Sequence, residues 1–190
     1  MKKIINLIFL RQFLFVGKTS YNYKMKSFLM YKKNINYIFN LTYSVIYLKK
    51  ALKFIEKIIE NRGLILFLGY RNNSYINKFI TINNNIKLRY FTFSFKEEWF
   101  PGLLMQLKNV KRVPDLLIIL DAEPIMYNMI IKEANLCKIP VIFILDSLQN
   151  FDYVSYIVPG ALNTTLLKSY ETLFCSSILN GFSKEKFKIK

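Results

Sequence analysis

Three short, unbroken apolar runs constrain this chain more than any other feature: Leu64–Leu68, Leu116–Leu120 and Val141–Leu145. Each has the length of a strand, and each is closed by a turn-former or an aspartate, namely Gly69, Asp121 and Asp146. A strand with one wet face alternates apolar and polar residues. A run that is apolar at every position has to be buried on both faces. Segments of helical spacing lie between the runs. Over Tyr43–Glu60, Val45, Leu48, Leu52, Ile55, Ile58 and Ile59 share one face, and Asn61-Arg62-Gly63 ends the helix.

Further helices are predicted over 72–79, 101–111, 124–137 and 163–179, with Pro124 in a first turn, where its missing N–H costs nothing. A turn is expected at 81–85, and further strands at Ile35–Asn40 and Tyr90–Phe95. Strands alternating with helices predict a three-layer α/β/α domain with a mainly parallel five-stranded sheet, flavodoxin-like in arrangement. The expected organisation is a basic N-terminal arm with the first strand over 1–41, an α/β domain over 42–182, and a Lys-rich tail over 183–190.

Composition removes most chemistry. The 190 residues contain no histidine, and the two cysteines, Cys137 and Cys175, do not stand at ligand spacing. Histidine acid–base catalysis, Ser-His-Asp and Cys-His machinery, the usual zinc sites and a disulfide framework are excluded. No cofactor is expected. Lysine outnumbers arginine 23 to 5, and Asn, Phe and Tyr are abundant while Gly and Pro are scarce. That usage follows AT-rich codons, as in organelle genomes, and dilutes the information carried by any single lysine.

The net charge of +16 is unevenly spread. Residues 1–63 carry 13 basic and 2 acidic side chains, and no carboxylate precedes Glu56. From Pro114 to Cys175 the sign reverses, with 3 basic against 7 acidic residues. A basic arm on a near-neutral body is the electrostatic pattern of a polyanion binder. No apolar run reaches the 18 or so residues that span a bilayer, so membrane insertion is not expected. Met1-Lys2-Lys3 followed by Ile4–Leu10 imitates a signal peptide, but Asn6, Arg11 and Gln12 interrupt it and no small-residue cleavage site follows.

Gly17-Lys18-Thr19 imitates the end of a phosphate loop, yet that loop requires a glycine where Gln12 stands and a buried strand before it. Asp121 and Asp146 end apolar strands and should emerge at the carboxyl edge of the sheet, where open α/β folds hold ligands. With Glu123 and Asp152 they suggest a magnesium-dependent enzyme as the rival reading. Without a Gly-rich loop, histidine or matched lysine, both aspartates are read as structural, organising loops or helix starts. Trp99, the one tryptophan, lies before Pro101-Gly102 and is either a core anchor or a platform for a stacked base.

Read in order, the segments resemble the small-subunit ribosomal protein S2 family. Tyr21-Asn22-Tyr23-Lys24-Met25-Lys26 resembles its W-N-P-K-M-K element, and Glu98–Gln106 its R-W-L-G-G-L-L-T-N loop. Val113-Pro114-Asp115 with the run to Asp121 resembles the L-P-D strand. Glu133-Ala134 through Ile139-Pro140-Val141 resembles E-A-x-x-L-x-I-P-V, Asp146-Ser147 stands at Asp-Thr, and Val154–Gly160 at D-Y-x-I-P-G-N. The likeness covers roughly residues 13–180. It departs in lacking the family's histidines, in Pro101 and Ala161-Leu162, and in the short step from Gly102 to Pro114, where many bacterial members insert a helical hairpin.

The resemblance implies a non-catalytic constituent of a small ribosomal subunit that binds rRNA and neighbouring ribosomal proteins and does not form homo-oligomers. With the codon bias it implies an organellar ribosome, mitochondrial (in the matrix) before plastid. The expected RNA contacts are Lys24, Lys26, Lys32 and Lys33 on the arm, with Arg71, Trp99, Lys108, Lys111 and Arg112 from loops and helix ends. The arm buries too little apolar surface of its own to offset its ordering entropy, so it is expected to gain order on its partner.

Overall fold

The two-sided burial expected of the apolar runs is what the structure shows. It is a computed structural model that describes residues 16–69, 92–95, 99–109, 113–121, 124–162 and 164–188. Five strands form one parallel sheet: β3 (Ile65–Gly69), β4 (Thr92–Phe95), β5 (Leu116–Asp121), β6 (Val141–Leu145) and β7 (Tyr156–Pro159), in the order β4-β3-β5-β6-β7. Alternate residues of each central strand go to opposite layers. Ile65, Phe67, Leu116, Ile118, Ile142 and Ile144 face helices α1 (Leu41–Glu60) and α4 (Thr164–Lys188). Leu66, Leu68, Leu117, Ile119, Phe143 and Leu145 face α2 (Leu103–Asn109) and α3 (Pro124–Leu136). The predicted helix at 72–79 and turn at 81–85 lie outside the described residues.

Local chemistry sets the helix ends. Asn40 caps α1 by accepting from Thr42 N at 3.0 Å. At the other end Arg62 adopts φ 61°, and its N–H and that of Gly63 return to Ile59 O and Ile58 O. Lys138 (φ 58°) closes α3 in the same way, placing buried Ile139 against the core. Between α1 and the sheet, Asp115 Oδ2 accepts from Leu64 N at 2.8 Å, tying the start of β5 to the entry of β3.

The structure differs from three expectations. The fifth strand of the sheet is Tyr156–Pro159 and not Ile35–Asn40. Pro159 lacks a ladder donor, and the edge position of β7 is where that is tolerated. The segment from Ile35 does form a strand, β2 (Asn36–Phe39), but it pairs antiparallel with β1 (Leu29–Lys33) in a separate hairpin turned by Asn34 at φ 54°.

The second difference concerns residues 16–41, which pack against the α/β domain. A 3-10 helix, Tyr23–Phe28, places Met25 and Phe28 with Phe39 in the same core layer as α2 and α3. Third, α4 continues to Lys188, past the expected start of a tail. Phe182 is buried, and Lys184 Nζ donates to Glu56 Oε2 at 2.7 Å, so this end of α4 packs on α1.

Candidate nucleic-acid interface

Residues 16–28 lie as a strap across the carboxyl end of β6. Gly17 N donates to Tyr37 O at 2.6 Å, and Lys18 N to Ser147 Oγ at 3.1 Å. Ser147 Oγ in turn donates to Ser20 O at 3.0 Å, and Asn22 N to Ser147 O at 2.8 Å. A Cβ on Gly17 would sit 3.1 Å from both Phe39 and Ser147, so the glycine permits close packing. Gly17-Lys18-Thr19 is therefore a strap and not a phosphate cradle.

Asp146, under the strap, is 4% exposed. Its Oδ1 accepts from Ser147 N at 2.6 Å, and its own N donates to Gln149 Oε1 at 2.8 Å. Lys18 Nζ stands 4.0 Å away. Burial pushes the carboxyl above its ordinary value, against the opposing pull of the Ser147 N–H and the Lys18 charge. These are the contacts of a loop organiser. Asp121 pairs with Gly69 in the ladder, while Glu123 lies outside the described residues. Among the described residues no three His, Cys, Asp or Glu side chains gather at metal-ligating distance.

The predicted RNA contacts divide into three groups. Lys26, Lys32 and Lys33 are exposed, the last two at the tip of the β1–β2 hairpin, where Lys32 Nζ lies 5.4 Å from the Tyr37 ring centroid. Met30, Tyr31 and Ile35 are exposed beside them, so the hairpin tip is solvated on both faces. Arg71, Lys111 and Arg112 lie outside the described residues, and Lys108 is placed only as a backbone position on α2.

Lys24 and Trp99 are engaged within the protein itself. Lys24 Nζ donates to both oxygens of Asp152, at 2.5 and 2.6 Å. That bond raises the lysine pKa and lowers the aspartate's. The charge of Lys24 thus anchors the strap to the loop after β6. Trp99 is 7% exposed, and its Nε1 donates to Glu133 Oε2 at 3.0 Å. A base stacks only on an accessible ring face, so Trp99 is a core anchor. Its partner Glu133 drew no role from the sequence, although it heads the E-A motif.

A family model described as Ribosomal protein S2 matches residues 12–112 and 103–181. The small ribosomal subunit protein uS2 of Colwellia psychrerythraea is 29% identical over 210 residues, covering 88% of this chain and 85% of that protein. Those of Pseudoalteromonas translucida and Idiomarina loihiensis are 28% and 27% identical, covering 74% of each chain. In this α/β domain the strap covers the end of β6, and strand-end Asp146 holds the loop that follows. The chain belongs to the ribosomal protein S2 family, whose members are structural components of the small ribosomal subunit. Among the described residues no helix is long and apolar enough to cross a membrane.

Proposed function

We propose that this chain is a structural constituent of the small subunit of an organellar, specifically mitochondrial, ribosome. There it holds small-subunit rRNA through its basic N-terminal third and packs against neighbouring ribosomal proteins. The observation that carries the RNA reading is the β1–β2 hairpin, which exposes Lys32 and Lys33 at a tip facing away from the core. Lys26 on the strap is exposed as well, and no carboxylate precedes Glu56 to neutralise them. Lys108, Arg71, Lys111 and Arg112 are the candidate contacts from the rest of the domain. Phosphate contacts of this kind position the protein without reading bases.

The organellar reading rests on the AT-codon residue usage and on the short step from Gly102 to Pro114. The two matched segments of the family model meet over 103–112, at that same step. The relatives quoted above are bacterial, so the compartment is tested directly. A tagged chain would be recovered from separated mitochondria and plastids under mild salt, and the RNA bound to it sequenced. Recovery of mitochondrial small-subunit rRNA is expected. Recovery of plastid rRNA would move the compartment, and absence of any small-subunit rRNA would overturn the reading.

A further inference from the structure

The outer face of α1 carries a row of lysines that the N-terminal arm does not account for. Lys50, Lys53 and Lys57 recur at three- and four-residue spacing and are all exposed, in line with exposed Ile46 one turn earlier. Among the described residues none of the three forms an ion pair. The helix sorts its charges: Glu56 turns toward α4, where it accepts from Lys184 Nζ at 2.7 Å and Asn180 Nδ2 at 3.5 Å. Glu60 also acts on Lys184.

The row also joins the arm. Lys50 Nζ lies 5.1 Å from the centroid of the Tyr47 ring. That ring meets Phe28 edge-on at 5.4 Å, and Phe28 ends the 3-10 helix that carries Lys26. The basic surface therefore passes from the strap onto a rigid, twenty-residue helix whose opposite face is locked in the core. From Lys50 to Lys57 the row extends about 10 Å along the axis.

We propose that this lysine row on α1 is a second, preformed phosphate track, which carries an rRNA backbone onward from the arm. The proposal rests on the rRNA-binding reading above and extends it to a surface that needs no ordering on contact. A line of three unpaired lysines, with Glu60 at its C-terminal end, suits a sugar–phosphate chain. It suits a protein partner poorly, because lysine is depleted from protein–protein interfaces.

The test compares the full-length chain with K50Q/K53Q/K57Q, K50R/K53R/K57R and K26Q/K32Q/K33Q, each first shown by circular dichroism and thermal unfolding to fold normally. Affinity for the cognate small-subunit rRNA is measured across a salt series. Removing three phosphate contacts is expected to flatten the slope of log K against log salt by about 2 to 3, at roughly 0.7–0.9 per contact. The arginine variant should keep the slope. An unchanged slope in K50Q/K53Q/K57Q, with a flattened slope in K26Q/K32Q/K33Q, would overturn the track and leave the rRNA reading intact. Absence of salt-dependent binding by the unmodified chain would overturn both.

Discussion

Glu133 on α3 holds the Trp99 loop with both of its carboxylate oxygens. Oε2 accepts from Trp99 Nε1 at 3.0 Å, and Oε1 from Leu104 N at 2.6 Å, in the first turn of α2. One side chain thus satisfies an indole and a helix-start donor that would otherwise lie in the core layer without water. Glu133→Gln keeps the shape but offers only one acceptor oxygen, turning an amide N–H against one of these donors. It is expected to cost about 1–3 kcal/mol in chemical unfolding. Since Trp99 is the one tryptophan, its emission should shift to the red in the variant, and in the unmodified chain it should resist quenching by acrylamide.

Gly160 and Tyr170 form a second tight pair. A Cβ on Gly160 would fall 2.2 Å from the Tyr170 hydroxyl, whereas the ring carbon behind it stands at 3.3 Å. Gly160→Ala should therefore destabilise by about 1–3 kcal/mol through overpacking. Adding Tyr170→Phe should recover part of that loss, so that the double variant is less destabilised than the sum of the two. Strict additivity in a double-mutant cycle would contradict the contact.

The apolar runs were legible because both layers of the sandwich demand them, so every position of Leu116–Leu120 and of β6 reports burial. The amphipathic period of α1 was legible for the same reason. Strand β7 was obscured by its edge position, which lets Pro159 and half-buried Tyr156 stand in a ladder. The strap looked like a solvated arm because it carries three lysines and no carboxylate. The only signal against that was the spacing of Met25 and Phe28, which share a face at the three-residue repeat of a 3-10 helix. The pairing of Lys24 with Asp152, 128 residues apart, left no mark in the local pattern.

Acidity should act on Asp146 with a definite sign. Its folded pKa lies above its ordinary value of 3.8, so between those two values the folded chain binds more proton than the unfolded one. The contribution of Asp146 to stability is then most favourable at low pH and falls as pH rises through that window. Asp146→Asn keeps an acceptor for Ser147 N and removes the buried charge. The stability of this variant relative to the unmodified chain should increase from pH 3 to pH 7. A difference that is flat with pH, or of opposite slope, would contradict the burial argument.

The two cysteines should react very differently. Burial, reinforced by the negative charge of Glu171, pushes the Cys175 thiol up to about 12, while Cys137 is half-buried at the end of α3. Only thiolate attacks a disulfide reagent, so one thiol per chain should titrate with an aromatic disulfide in the native state. The second should appear on unfolding. Cys175→Ser should leave the native signal intact, and Cys137→Ser should abolish it.

The central claim, that the chain is built into a small ribosomal subunit through its basic N-terminal third, is tested most directly by sedimentation. Organelle lysates expressing either the tagged chain or its K26Q/K32Q/K33Q variant would be washed at moderate salt and resolved on a density gradient. The unmodified chain is predicted to travel with the small subunit. The variant, folded by circular dichroism, should be shifted largely to the top of the gradient. An unmodified chain that stays at the top, or a variant that remains with the subunit as fully as the parent, would contradict the account.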